Sequence, residues 1–384
     1  MVPEVLQDGA AFSPSGVYVS PPAGPIQSYQ KFIETLPINP NPEVFGLHEN
    51  ADMTYASAET RSLLESLLAL QPRTSAGASK SREDVIRQIA EELSTKVPKG
   101  YDMRHVLEKY PFKFEERWAV LSQSSLLMPH RLIFIPHSMN NVLVQECVRY
   151  NRLLQVMRST LTDLVKATKG YVVMSEQLER MGESLFDNRV PMLWAEKAYP
   201  SLKPLSSWFF DLLQRIRALQ TWIDSGTPHV FWMSGFFFPQ AFLTGALQNF
   251  ARKLAVSIDR ISFGFEILKA SAEDIRAPPE MGVYISGLFL EGARWDSATS
   301  RLAESRPLEL YTKVPVIWLK PEVVRAQPKS GIYRCPVYKT LTRQGTLSTT
   351  GHSTNFVVAI EVPTDLPQEH WVMRGVALIC SLDY

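Results

Sequence analysis

The chain has 384 residues, of which 45% are hydrophobic, 10% aromatic and 21% charged, which is the composition of a globular protein with one or two domains. Its 40 basic and 39 acidic residues give a formal net charge of +1, and neither sign forms a run, so the sequence predicts no nucleic-acid partner. It has no signal peptide and no apolar run of the ~20 residues that cross a membrane. These features favour a soluble, intracellular protein with no membrane partner.

Proline and glycine break up the first 50 residues, and seven prolines between Pro14 and Pro42 leave room for one short helix. That helix is predicted over Ile26–Leu36. The segment is expected to be a connector or the tail of a domain that begins upstream.

Helical periodicity begins after residue 56, with apolar residues at intervals of three and four. The longest stripe runs from Leu143 to Thr168 and predicts a helix with one narrow packing face, started by Ser138 and ended at Gly170. The Ser/Ala/Gly/Lys-rich stretch Gln71–Ser81 predicts a mobile loop. Helices are predicted over Ser57–Leu70, Asp84–Lys96, Ser138–Lys169, Glu176–Asp187, Leu205–Asp224 and Pro239–Ala255.

Beyond about Arg260 the pattern changes to short β-branched and aromatic runs separated by glycine and proline, which is typical of strands and turns. Because helices come first and strands later, the sequence predicts an α+β fold. Several runs are apolar on both faces, so we expect helices to cover one side of a curled sheet. Strands are predicted over Ile261–Leu268, Gly282–Glu291, Val314–Leu319, Ile332–Thr340, Asn355–Val362 and His370–Leu382, with an earlier candidate at Val230–Phe237.

One glycine-rich segment invites comparison with a phosphate-binding loop, Gly345–Thr354 (GTLSTTGHST). Such a loop needs GxxxxGK[ST] and opens a helix. Here the glycines are one residue too far apart, His352 stands where lysine is needed, and a predicted strand follows. The segment therefore predicts a hairpin turn.

No other arrangement indicates catalysis. Ser234-Gly235 and Ser286-Gly287 lack the GxSxG frame, no two histidines have metal-ligand spacing, and no acidic pair has a context for acid–base work. The sequence therefore predicts no catalytic, cofactor-binding or metal-ligating residue. The three cysteines, Cys147, Cys335 and Cys380, are expected to be reduced thiols. The histidines considered as ligands or catalytic groups are His48, His105, His130, His137, His229, His352 and His370.

Five aromatic residues cluster near position 235, and a ligand cage and core packing are both compatible with them. Packing is favoured because aromatic side chains dominate cores and interfaces. The five are Phe231, Trp232, Phe236, Phe237 and Phe238.

Several longer sequence motifs are more specific than composition or periodicity, and they occur in order along nearly the whole chain. They are Ser13–Tyr18 (SPSGVY), Pro21–Pro25 (PPAGP), Pro42–Asp52 (PEVFGLHENAD), Ser138–Glu146 (SMNNVLVQE), Arg149–Leu154 (RYNRLL), Trp232–Thr244 (WMSGFFFPQAFLT), Tyr333–Thr340 (YRCPVYKT), Gly345–Phe356 (GTLSTTGHSTNF), Trp371 and Arg374–Leu378 (RGVAL). With these phrases the chain resembles the C-terminal end of dynein heavy chains. His48, Cys335-Pro336 and the Gly-His-Ser-Thr loop resemble the axonemal type.

The resemblance implies three regions: residues 1–50 as the end of the helical lid of the sixth AAA+ module, 51–260 as the helical part of the dynein C-terminal domain, and 261–384 as its incomplete antiparallel β-barrel. It also implies a non-catalytic structural and regulatory module on the AAA+ ring of the same heavy chain. That heavy chain would be a minus-end-directed motor of cilia and flagella, in the cytoplasm, cytoskeleton and axoneme. ATP and magnesium would bind elsewhere in it, and intermediate chains, light chains and microtubules would be partners only through the parent complex.

Two departures from the family pattern stand out. Arg117–His137 (RWAVLSQSSLLMPHRLIFIPH) separates two phrases that are almost adjacent in the family, and predicts an insertion loop from a variant transcript or an imperfect gene model. The start at Met1 inside the lid indicates a fragment or a truncated product.

Two hypotheses compete with the structural and regulatory module. One is a free-standing short isoform that acts as a protein-binding module, and the other is an enzyme of unrecognised type. Exposed apolar surface would favour the structural module or the protein-binding isoform over the enzyme, because both must pack on a partner.

Overall fold

The structure is a computed structural model, and it describes residues 16, 18–38, 41–45, 47–70, 81–111, 138–323, 331–343, 345 and 353–384. Three sequence predictions lie outside these residues: nearly all of the loop at 71–81, the insertion at 117–137, and most of the turn at 345–354.

Each helix predicted from periodicity is present, and three further helices, α4, α7 and α10, were not predicted as helices. The helices α4 and α7 span seven and four residues, fewer than periodicity requires. Helix α2 begins at Asn50, seven residues before its predicted start, and is continuous to Leu70. In chain order the helices are α1 Ile26–Thr35, α2 Asn50–Leu70, α3 Arg82–Lys96, α4 Met103–Lys109, α5 Ser138–Thr168, α6 Glu176–Phe186, α7 Met192–Ala195, α8 Leu205–Ser225, α9 Pro239–Leu254 and α10 Gln368–Met373.

The long helix α5 is the axis of the helical part. Its predicted stripe is buried from Leu143 to Leu164, and α5 contacts α3, α4, α6, α7, α8 and α9. It ends as predicted, because Gly170 adopts a φ of +77° and the amide of Tyr171 donates to the carbonyl of Lys166. The hydroxyl of Ser138 lies against Gln248 and Arg252 of α9 at the other end.

Eleven strands lie within the described residues, and most are short. The strands β5, β6 and β7 were not predicted, because three residues are too few for an alternating pattern to be detected. The strands are β1 Val230–Trp232, β2 Ser262–Ile267, β3 Val283–Ser286, β4 Phe289–Glu291, β5 Arg294–Asp296, β6 Arg301–Ala303, β7 Tyr311–Lys313, β8 Ile317–Glu322, β9 Ile332–Thr340, β10 Phe356–Pro363 and β11 Ala377–Ser381.

The described strands form three separate sheets, so the predicted incomplete antiparallel β-barrel is not confirmed. One sheet has the order β1-β3-β8-β2, the second has the order β10-β9-β11-β4-β7, and β5 pairs with β6. The pairing is not wholly antiparallel either, because β1 runs parallel to β3 and β11 runs parallel to β9. The coarser prediction of mixed helices and sheet is confirmed. The antiparallel pair of β9 and β10 flanks the predicted hairpin.

The prediction of a single strand over Gly282–Glu291 was wrong. The backbone leaves the first sheet after Ser286 and enters the second at Phe289. Gly287 makes this crossing at a φ of +88°, where a Cβ atom would lie 2.3 Å from Trp232 Cδ1. Glycine is therefore required both by the backbone and by the close approach of Trp232.

The predicted strand His370–Leu382 was also wrong in its first half, which is helix α10. Pro367 precedes that helix at a φ of −64°, and Gly375 follows it at a φ of +66°. Trp371 is buried and donates to Thr364 Oγ1 at 2.7 Å. Proline before the helix and glycine after it match the usual order of start and stop residues, which the aromatic and β-branched composition obscured.

The predicted strand Val230–Phe237 is shorter than expected, because β1 ends at Trp232. A 3-10 turn over Met233–Gly235 follows, and the amides of Phe237 and Phe238 donate to a carboxylate of α5 instead of a sheet partner.

One hydrophobic core joins the helices to both larger sheets. Buried residues of α5, α8 and α9 belong to the same cluster as those of β3, β8, β9 and β11. Strand β11 is buried on both faces, since Leu378 and Cys380 face the main core while Ala377 and Ile379 belong to a second, smaller cluster. This explains why its sequence is apolar without alternation.

Candidate functional site

Helix α1 presents an apolar face to the outside. Ile26, Tyr29 and Ile33 share that face at intervals of three and four, and they are 74%, 37% and 64% exposed. None of the ten residues of α1 is buried. An amphipathic helix whose apolar stripe remains exposed is typical of a segment that packs on another surface.

Helix α2 also exposes apolar side chains. Leu63, Leu64 and Leu67 lie within about one helical turn of each other and are each more than half exposed. Tyr55 is 70% exposed on the same helix. We call the apolar residues of α1 and α2 named here the N-terminal apolar surface.

The start of α2 is fixed to the sheet part of the protein by one asparagine side chain. Asn50 Nδ2 donates to the carbonyls of Arg306 at 2.8 Å and Glu309 at 3.0 Å, and the amide of Leu308 donates to Asn50 Oδ1 at 2.9 Å. The side chain thus uses both donors and its acceptor on one turn between β6 and β7. Asn50 is buried, so these bonds are shielded from water.

A second link joins the middle of α2 to the last residues of the sequence. Arg61 Nη2 lies 2.7 Å from Asp383 Oδ2, and Arg61 is more than half exposed. Such an exposed pair contributes little stability by itself. Together with the bonds of Asn50, it fixes the direction of α2 relative to the sheets.

A fully buried carboxylate joins α5 to the turn before α9. Glu146 accepts from the amides of Phe237 at 2.5 Å and Phe238 at 3.1 Å, and from Arg149 Nη1 at 3.0 Å. Burial raises the pKa of the Glu146 carboxyl, while the two amides and the Arg149 guanidinium oppose that shift by stabilising the charged form. All three groups are hydrogen-bond donors, so the Glu146 carboxylate serves to hold the turn before α9 against α5.

A buried ionic cluster lies on α8. Asp211 Oδ2 accepts from Arg215 Nε at 2.6 Å and from the hydroxyl of Tyr199 at 2.8 Å. The Arg215 guanidinium lies 3.7 Å from the centre of the Tyr199 ring. The Oδ2 atom of Asp211 therefore accepts from two donors, while its Oδ1 atom lies 3.9 Å from Lys203 Nζ.

Three of the five aromatic residues near position 235, Phe231, Phe236 and Phe237, pack against other rings of the core, as favoured from the sequence, whereas Trp232 borders a cavity. Phe236 stacks on Phe242 with ring centres 4.5 Å apart, and Phe231 lies 4.8 Å from the same ring. Phe237 meets Tyr150 edge to face. Phe238 is partly exposed, and it lies beneath Arg149 and Lys339.

The three cysteines are buried, and Ser234 makes a hydrogen bond to the backbone. Burial raises the pKa of the Cys147 and Cys380 thiols to about 12 and also raises that of Cys335, so all three are neutral thiols. They are buried and unpaired. Ser234 donates to the carbonyl of Gly287 at 2.5 Å, which supports the crossing between the sheets.

The described histidines do not come together. His48 Nδ1 accepts from the amide of Asn50, and His370 Nε2 lies against Glu304 at 2.5 Å. Within the described ranges no group of three or more His, Cys, Asp or Glu side chains is arranged to hold a metal ion. No helix among those residues is long and apolar enough to cross a membrane.

Two family models together match almost the whole sequence. The model of the C-terminal domain of dynein heavy chains matches residues 57–380. The protein belongs to this dynein family. The model of the AAA lid domain of dynein heavy chains matches residues 1–51. The resemblance noted in the sequence is thereby confirmed.

Relatives of this dynein chain are axonemal. It is 53% identical over 383 residues to dynein axonemal heavy chain 1 of Homo sapiens, a match that covers 100% of this chain and 8% of that protein. It is 48% identical over 382 residues to dynein axonemal heavy chain 3 of Mus musculus, covering 99% of this chain and 9% of that protein. Dynein axonemal heavy chain 12 of Mus musculus is also 48% identical, covering 97% of this chain and 11% of that protein. The chain thus spans about a tenth of the length of these relatives.

The dynein lid match ends at residue 51 and the match to the C-terminal domain begins at residue 57, and helix α2 spans both positions without a break. The N-terminal apolar surface therefore includes residues of both matched regions. Sequence reasoning did not identify Asn50 or Glu146, whose side chains each connect elements distant in sequence, although both lie within motifs that carry the resemblance.

Proposed function

We propose that this chain is a non-catalytic structural and regulatory module that docks on the AAA+ ring of the dynein heavy chain to which it belongs. That heavy chain would be a minus-end-directed microtubule motor for ciliary and flagellar movement, located in the cytoskeleton of the axoneme. Intermediate chains, light chains and microtubules would be met only through the parent complex. In this proposal no residue of the module is catalytic or binds a metal or cofactor, and ATP and magnesium bind elsewhere in the motor.

The N-terminal apolar surface is the observation that carries the proposal. Ile26 and Ile33 belong to a segment matched by a dynein AAA lid, and they expose an apolar face that no described residue of this protein covers. Lid and C-terminal domain are joined through the continuous helix α2. A surface of this kind is expected to be covered by the ring in the parent protein.

A free-standing short isoform that acts as a protein-binding module is the second candidate. It is favoured by the hydrophobic core, which joins the helices and both larger sheets within this one polypeptide. Such an isoform would use the same N-terminal apolar surface, and it would compete for the ring or bind another partner.

The experiment is cross-linking mass spectrometry of the protein mixed with a dynein ring that lacks its own C-terminal domain. We expect cross-links to the first, fifth or sixth AAA+ module. The triple variant Ile26→Ser, Ile33→Ser, Leu67→Ser should abolish them, because it makes the docking face polar while replacing only exposed residues.

The matched control is Val173→Ser, which replaces a residue that is 88% exposed in the turn after α5. This variant should cross-link like the wild type. If the folded wild-type protein gives no cross-links to the ring, docking in trans is refuted and the free-standing binding module becomes the better account.

A further inference from the structure

A cavity of about 530 Å³ lies where the two larger sheets separate. Two of the connections between those sheets border it, one at Gly287 and the other at Val314–Val316. Helix α8 closes one side through Asp211 and Gln214. The volume is in the range of pockets that hold small molecules.

Lysine dominates the charged side chains around this cavity. Lys203, Lys269 and Lys313 line it, together with a single acidic side chain, that of Asp211. Asp211 is already held by Arg215 at 2.6 Å, while Lys203 lies 3.9 Å from its other carboxylate oxygen. Within the described residues, neither Lys269 nor Lys313 has a carboxylate partner. The side chains around the cavity therefore carry more positive than negative charge.

The rest of the cavity lining is largely apolar and is suited to the apolar part of a small organic ligand. Trp232 and Phe289 contribute aromatic surface, and Pro315 and Leu382 contribute aliphatic surface. The hydroxyls of the lining serines are interspersed with them. Apolar walls with a few convergent polar groups are typical of sites for small organic ligands.

We propose that this cavity binds a small organic anion, one that carries a phosphate or carboxylate group on an aromatic or aliphatic body. Lys269 and Lys313 bind the anionic group at the exposed side, and Lys203 adds charge from the α8 side. The apolar body lies between Trp232 and Phe289. A bound ligand would contact α8, Trp232 of β1 in the first sheet and Lys313 of β7 in the second sheet, and so would join the helical part to both sheets.

The proposal is tested by isothermal titration of the full-length protein with phenyl phosphate and with benzoate, which separate the two anionic groups. Two matched probes serve as comparisons. Inorganic phosphate lacks the apolar body, and benzyl alcohol lacks the negative charge. At least one of the two aromatic anions should bind, and more tightly than either matched probe. The double variant Lys269→Glu, Lys313→Glu should weaken this binding by about tenfold or more, because it reverses two charges around the cavity. Both lysines are exposed, so the variant is expected to fold.

The control is Lys99→Glu, which reverses the charge of an exposed lysine that is not part of the cavity. It should bind the anions like the wild type. No binding of either aromatic anion at millimolar concentration would overturn the proposal. Equal weakening by the control variant would overturn it as well, because binding would then follow total charge instead of this cavity.

Discussion

At the scale of single residues, Glu146 is a buried carboxyl group whose oxygens accept hydrogen bonds from three donors. Its oxygens meet two amides of the turn before α9 and the guanidinium of Arg149. An ionised carboxylate in the interior is tolerated only with such partners, because its desolvation is costly. These bonds help to hold the turn that places Phe237 against Tyr150.

Glu146→Gln is expected to lower the free energy of unfolding by about 2–3 kcal/mol, because the amide replaces an acceptor oxygen with a donor and removes the ion pair with Arg149. Urea unfolding followed by circular dichroism measures the change. Glu176→Gln, at an exposed pair with Arg180, should leave the free energy of unfolding unchanged. An equal, small effect of both substitutions would show that the buried carboxylate has no special role.

At the scale of elements, the position of α2 depends on Asn50. We expect Asn50→Ala to remove its hydrogen bonds to the turn and to destabilise the attachment of α2 by about 1–3 kcal/mol, because the carbonyls of Arg306 and Glu309 lose their donor. Hydrogen exchange should become faster in the first turn of α2 and at Leu308, while the exchange of α5 stays unchanged.

The matching control for this substitution is Asn41→Ala, which alters an exposed asparagine before α2. It should leave exchange in α2 at the wild-type rate. Faster exchange throughout the protein in Asn50→Ala would contradict a local attachment and indicate a general loss of stability.

Which elements could be predicted depends on their length and on the distance between partners in sequence. Helix α5 was predicted over residues 138–169 and is found at Ser138–Thr168, because 31 residues repeat one packing stripe many times. Strand β5 has three residues and repeats nothing. The partners of Asn50 lie more than 250 positions away, and Phe237 lies 91 positions from Glu146, so no local pattern indicated either contact. The cavity could not be predicted for the same reason, since its lysines come from three separate parts of the chain, at positions 203, 269 and 313.

At the scale of the whole molecule, the boundary proposed at residue 260 does not separate two cores. Strand β1 precedes it and pairs with β3, which follows it. The main cluster of buried residues includes Trp208 and Phe242 before this position and Ile285 and Leu378 after it. The two parts are therefore expected to behave as one cooperative unit.

Division of the protein after residue 260 should leave two fragments that do not fold alone, because each would expose its half of the shared core. Removal of residues 1–38 should be tolerated, because none of the residues described in that stretch is buried. Scanning calorimetry compares the whole protein, the N-terminal deletion and both fragments. We expect one unfolding transition for the whole protein and a nearly unchanged transition after the N-terminal deletion. Neither fragment should show a transition. A separate transition in a fragment ending at residue 260 would mean that the helical part has a core of its own. The contacts of β1 and α8 with the sheets would then be an interface between two domains instead of the interior of one.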